Sequence, residues 1–166
     1  YPGIRARAPR SYEQLIVTKL GHALLECLGL ETGLLHFSMC HYSIITTPAS
    51  ELAVPQRIPH VDSLSPRGLA SIHYLFTKDL GGTAFYRHRS TGCETLDASR
   101  NERYVKALRE ECASPQAPAA GYINGDTPLF EQIAKQAGVF NRMLIYRRNS
   151  LHSGCIDSAF VADPSP

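Results

Sequence analysis

A chain of 166 residues, 43% hydrophobic and 19% charged, has the length and make-up of one globular domain and argues against a disordered chain. Its formal net charge of +2 is too small to mark a nucleic-acid or acidic-membrane surface. No run of about 18 apolar residues is present to span a bilayer.

The opening Tyr1-Pro2-Gly3 lacks an initiator Met and a signal-peptide layout, and reads as the start of a fragment. Ser11-x-x-Gln14 has the spacing of a capping box. Behind it Tyr12, Ile16, Leu20, Ala23, Leu24 and Cys27 recur at helical spacing, which predicts an amphipathic helix stopping near Gly29 and packed outside a sheet. From Leu34 to Thr47 the chain turns to Phe, Tyr, Ile and Thr and predicts a strand. Pro48, Pro55 and Pro59 then break it into loop and short edge pieces, with a short strand over Arg57 to Asp62.

Gly68 to Phe76 and Thr83 to His88 read as strands, and Asp79, Gly81 and Gly82 between them predict a hairpin-like link. Ser99 to Glu111 is charged and helix-prone, and Ser114 to Gly121 is a Pro/Ala-rich linker. Asp126-Thr127-Pro128 has the caps of another helix, running to about Ala137 and closed by Gly138. Arg142 to Tyr146 and Ser150 to Ile156 read as the last strands. Five scattered cysteines with no C-x-x-C pair fit free, mostly buried thiols in a reducing compartment, and the cytoplasm as address. Short strands punctuated by Gly and Pro favour a sandwich or barrel, and no glycine-rich phosphate loop is present.

His60-Val61-Asp62 places an imidazole and a carboxylate two residues apart, on one side of an extended segment. His152 lies ninety residues further on, in a predicted strand. Two histidines and one carboxylate on one face of an ion leave positions open for a co-substrate and O₂, and the mixed nitrogen and oxygen set suits Fe(II), where a thiolate set would point to zinc. Taken alone, the H-x-D pattern is also what a loop histidine beside an unrelated Asp would give. His36, Cys40 and His41 are close in sequence, but in a strand His36 and His41 point to opposite faces. His73 and His88 read as strand residues facing solvent or a hydrogen-bond partner, His22 as a helix-surface residue, and Arg5, Arg7 and Arg10 as a solvated end. Arg87-His88-Arg89 is a weaker candidate for facing an anionic substrate.

The ordered set RIPHVDSLSPRGLASIHYLF, GGTAF and RMLIYRRNSLHSG resembles the core of prolyl 4-hydroxylase-like 2-oxoglutarate/Fe(II) oxygenases, over roughly Gln56 to Ile156. Together with YPG at the start, it resembles most a bacterial group of that superfamily with no assigned substrate. The resemblance implies a double-stranded β-helix (jelly roll, cupin-like), mainly β with flanking α, over residues 1–166, with an N-terminal helix and a helical insertion. It implies that His60, Asp62 and His152 hold Fe(II), and that Tyr74 hydrogen-bonds the distal carboxylate of 2-oxoglutarate; a core aromatic is the other reading of Tyr74.

The implied activity is that of a dioxygenase that hydroxylates a small molecule, amino acid or peptide with O₂, without nucleic acid or membrane as partner. Relatives carry an Arg or Lys about nine to eleven residues after the last histidine to clamp that carboxylate. Here those positions are Val161, Ala162 and Asp163, and no basic residue follows His152. The expectation is a chain cut before its last strand, or an anchor elsewhere, with Arg87 and Arg142 as candidates. The alternative functions are a non-catalytic jelly-roll domain and a 2-oxoglutarate-independent, cupin-like metal enzyme.

Overall fold

A computed structural model describes residues 1–29 and 35–156, and these fall into two compact units. The first comprises the described residues of Tyr1–Thr46. Here strand β1 (Gly3–Arg7) pairs antiparallel with β2 (His41–Ile45), Ile4 opposite Ile44 and Ala6 opposite Tyr42. Helix α1 (Arg10–Cys27) lies between them in sequence. Its N-cap is Pro9, with no side-chain cap, so the expected capping box at Ser11 does not form: the helix begins one residue before that serine. Along α1, Tyr12, Ile16, Leu20 and Leu24 are half-buried at the predicted spacing, while Ala23 and Cys27 are exposed. His22 is exposed on α1, 3.4 Å from Glu26. The predicted strand begins later than expected, at His41, leaving His36 outside it; Leu34 lies outside the described residues.

The second unit carries the remaining described strands in two antiparallel sheets. β3 (Leu69–His73) pairs with β6 (Met143–Arg147), and β4 (Gly82–His88) lies between β5 (Phe130–Ala137) and β7 (His152–Cys155). The fold is therefore mainly antiparallel β with two α-helices among the described residues, and these sheets do not close into a barrel. The link between β3 and β4 is not a hairpin. Gly81, at φ +98°, turns the chain there, but sends β4 into a different sheet. A Cβ at Gly81 would stand 1.8 Å from the Cys155 carbonyl oxygen, so only glycine permits this approach of β4 to the end of β7.

The segment expected as a helix over 127–137 is strand β5. Its FEQIAKQA sequence is rich in helix formers, but the full length of β4 pairs with it, from His88–Phe130 to Gly82–Ala137. The residues taken for helix caps make a turn instead. The Thr127 hydroxyl accepts from the Phe130 N–H, and Asp126 accepts from the Gln132 N–H. The register shifts between Phe85 and Tyr86, which oppose Ala134 and Gln132, so Ile133 is an extra, bulged residue.

One face of β4 is fully buried and the other partly, with Phe85 and Arg87 half-buried. Ala84, Tyr86 and His88 point into the main core with Phe130, Leu151, Cys155 and Tyr104. Helix α2 (Ala98–Cys112), the expected helical insertion, covers that side. Asp97 caps it by accepting from the Ser99 and Arg100 N–H groups. His88 is fully buried, with Nδ1 2.9 Å from the Thr91 hydroxyl and Nε2 2.8 Å from Glu111 on α2. All five cysteines are free, but only Cys93 and Cys155 are buried, fewer than expected. No described helix is long and apolar enough to cross a membrane.

Candidate metal centre

The other face of β4 builds the site. Thr83, Phe85 and Arg87 alternate on it. Phe85 sits opposite His152, and Thr83 opposite Gly154, so all four point the same way. On the facing sheet Ile72 and Tyr74 share one side with Leu144 and Tyr146. Side chains close the gap between the sheets: the Phe85 and Tyr146 rings meet edge-on at 5.1 Å, and the Tyr74 hydroxyl lies 2.8 Å from the Thr83 hydroxyl. The two sheets thus meet through these side chains, with His152 near one end and the Tyr74–Thr83 pair further along.

The H-x-D segment is not the strand expected over Arg57–Asp62. Only His60 bridges to a strand, exchanging both backbone hydrogen bonds with His152 at 2.9 and 3.0 Å. Proline at 59 has no N–H to extend that ladder, and the chain turns away to meet residue 148. The Arg148 carbonyl accepts from the Asp62 and Ser63 N–H groups, and its guanidinium donates to the Asp62 carbonyl at 3.3 Å. His60 is therefore held against β7, and Asp62 against Arg148 in the turn that precedes it.

The predicted triad converges. His60, Asp62 and His152 each offer a ligand atom, all within 4.8 Å of one another, and no other such group of His, Cys, Asp or Glu occurs among the described residues. Asp62 stands between the imidazoles, its carboxylate oxygens 3.8 Å from His60 Nε2 and 3.8 Å from His152 Nε2. Cis donors at about 2.1 Å from a first-row ion lie roughly 3 Å apart, so small side-chain rotations seat all three on one ion. His152 is buried, and its Nδ1–H donates to the Ser150 carbonyl at 2.9 Å. That bond leaves Nε2, the nitrogen facing Asp62, with its lone pair free for a metal. His60 and Asp62 are open to solvent, their side chains 54% and 38% exposed, so the ion would sit at the surface with one wall dry. The donor set fits Fe(II).

The dry wall is aromatic. The Tyr146 ring stands 4.8 Å from the His152 imidazole and the Phe85 ring 6.5 Å from it. Burial, more than the nearby Asp62 and Tyr74, pushes the Tyr146 phenol well above its usual range, so it is neutral at any physiological pH. Burial also raises the Tyr74 phenol, opposed by the Thr83 hydrogen bond and the Arg142 charge.

The family model for DUF6445 matches residues 1–166. The chain belongs to DUF6445, a family of unknown function. No curated protein and no solved structure matches this DUF6445 chain. Its site therefore rests on its own geometry. Thr83, Phe85, Tyr146 and the clamping Arg148 were not singled out as site residues by sequence; the alternation of β4 and β6 about Tyr74 and His152 was the available signal.

In the DUF6445 structure the Arg87-His88-Arg89 segment is engaged by partners within the chain. Arg87 is engaged by Glu94 and Glu131, Arg89 by Asp126, and His88 is in the core. His73 bonds Asn141 at 3.1 Å, as a strand histidine with a partner. A recess of about 320 Å³ lined by Thr91, Gly92, Cys93, Ser99, Arg100 and Arg103 lies beside α2, and holds none of the site residues. Val161, Ala162 and Asp163 lie outside the described residues.

Proposed function

We propose that this chain is an Fe(II)/2-oxoglutarate-dependent dioxygenase that hydroxylates a small molecule, amino acid or peptide, built on a double-stranded β-helix core. The convergence of His60, Asp62 and His152 carries the reading. The ordered motif resemblance that surrounds these residues supports it. With Fe(II) and 2-oxoglutarate bound, such a site supplies O₂-dependent hydroxylation, with succinate and CO₂ as co-products.

The chain's own contribution is placement and dryness. His60 and Asp62 supply one nitrogen and one oxygen from a segment clamped to β7, and His152 supplies a second nitrogen in a fixed tautomer. Phe85 and Tyr146 exclude water from the inner side of the ion. The Tyr74 hydroxyl is available for the distal carboxylate of the co-substrate. The exposed edges of His60 and Asp62 mark the side from which a substrate would approach. No side chain is needed as general acid or base.

The test is anaerobic addition of Fe(II) and 2-oxoglutarate to the full-length protein. A weak visible charge-transfer band should develop, and admitted O₂ should release succinate. A protein that binds Fe(II) but gives neither band nor succinate refutes the reading.

A further inference from the structure

We propose that Arg148, in the turn between β6 and β7, is the positioning residue for the metal ligand Asp62, and that residue 68 is glycine to let the arginine reach it. The inference rests on reading the triad as a metal site. His152 is fixed by its bond to Ser150, and His60 by its backbone exchange with β7. The Asp62 carboxylate accepts no hydrogen bond among the described residues, and its polar neighbours are the two imidazoles at 3.8 Å. Its direction must therefore be set from the backbone side.

A residue has two soft backbone dihedrals, so holding the peptide groups on both sides of it fixes the direction of its side chain. Arg148 holds both. Its carbonyl accepts from the Asp62 N–H at 2.9 Å, and one terminal nitrogen of its guanidinium donates to the Asp62 carbonyl at 3.3 Å. Its own N–H donates to the Gly68 carbonyl at 3.0 Å, which closes the loop between Asp62 and β3 onto the same residue. Arg147 also donates to that loop, at 3.1 Å, but to the Pro66 carbonyl.

Packing alone does not account for an arginine here. Its Nε is buried and unpartnered, and a buried N–H without an acceptor lowers stability. An apolar side chain of similar length would cover Gly68 without that penalty, but would lack the terminal donor that reaches Asp62. The same path explains the glycine. A Cβ at Gly68 would stand 2.0 Å from the Arg148 Cδ, 2.7 Å from its Cγ and 3.3 Å from its Nε, so any larger residue pushes the stem off its line to Asp62. The sign of the effect on the metal sets positioning apart from charge. A guanidinium beside the site repels a cation, so charge alone predicts tighter metal binding once it is removed. Positioning predicts the reverse, since the outer partners of a metal ligand support affinity by about 10- to 100-fold.

The test is Mn(II) titration of the full-length protein without O₂, read by the electron paramagnetic resonance of the free ion, with thermal melts by circular dichroism on the same samples. Arg148→Met keeps the main-chain bonds and a stem over Gly68. It should melt close to the parent and bind Mn(II) at least about tenfold more weakly. Arg148→Lys restores one terminal donor and should recover part of the loss. Gly68→Ala should reproduce the loss, and Arg147→Ala should bind Mn(II) as the parent does. An Arg148→Met protein that binds within twofold of the parent, or more tightly, overturns the positioning role and leaves the metal site standing. A loss of binding that only follows a lowered melting temperature overturns it equally. A parent protein that takes up no Mn(II) overturns the metal site, and this inference with it.

Discussion

Replacing Gly154 separates the scaffold from the space it encloses. The residue lies on β7, two positions from His152, and its backbone is outside the left-handed region, so alanine adopts it without strain. The new Cβ would stand 3.5 and 3.8 Å from two carbons of the Ile156 side chain, ordinary contact distances, with nothing else within 4 Å. The remaining effect is on the unfolded chain, whose freedom alanine reduces. Gly154→Ala should therefore stabilise the protein by about 0.4–1 kcal/mol. For a unit of this size that is a rise in melting temperature of roughly 2–8 °C. Gly154→Leu adds three more carbons in the same direction, on the side of the sheet that carries Thr83 and His152. It should leave Mn(II) binding intact, since no ligand or clamp moves, while 2-oxoglutarate binding is lost. Thermal melting by circular dichroism and Mn(II) titration by electron paramagnetic resonance read the two effects apart. A Gly154→Ala protein that melts several degrees below the parent would show that the glycine does not face open space, and a Gly154→Leu protein with undiminished 2-oxoglutarate affinity would show that the co-substrate does not lie beside it.

His60→Ala should weaken Fe(II) or Mn(II) binding by at least about 100-fold, because three ligands leave none to spare; metal titration checks it. Tyr74→Phe should cost one hydrogen bond to 2-oxoglutarate, about 0.5–1.5 kcal/mol, or a few-fold to roughly tenfold in affinity by calorimetry. Glu111→Ala strips fully buried His88 of its Nε2 partner and should lower the unfolding free energy in urea by about 1–3 kcal/mol; the exposed Glu110→Ala should change it by less than about 0.5. Burial chiefly raises the phenols of Tyr86, Tyr104 and Tyr146 above their ordinary 10.0. The unfolded chain then releases these protons first, so their contribution is intact below pH 10.0 and declines above it, by up to about 1.4 kcal/mol per pH unit for each tyrosine. Urea melts between pH 8 and 11 should follow that slope, and a flat profile would contradict it.

The sequence disclosed most where local pattern and burial agree. The charged, helix-prone run of α2 and the strand-forming residues of β4 agree with where they lie, so each was legible within a residue of its limits. The pairing of His60 with Asp62 was legible from the H-x-D spacing, and His152 came from the motif resemblance; the three side chains do lie together. β5 was not, since Glu131, Gln132, Ala134 and Lys135 favour a helix locally, and only the pairing with β4 makes them a strand. Partner choice was equally hidden. Gly81-Gly82 announces a turn, but whether the next strand folds back or crosses to another sheet depends on β5 and β7, which lie far along the chain. The employment of Arg87 was invisible for the same reason: Glu131 reaches it only across the β4–β5 pair.

The hydrogen-bonded pair of His60 and His152 also bears on how the molecule comes apart. The segment around His60 has no strand of its own, and its main-chain hold is on residues 148 and 152, close to the end of the described chain. Without β7 on β4 the His60 segment loses half of its hold, so strong metal affinity should require that docking. The converse holds for unfolding. An ion held by His60, Asp62 and His152 ties two distant stretches of chain with bonds that must break before either can leave. At an ion concentration 100 times its dissociation constant it would add about 2.7 kcal/mol to the stability of the native state. The same ion would slow the opening of β7 to proteases, making the lifetime of the fold, as well as its chemistry, a function of metal supply.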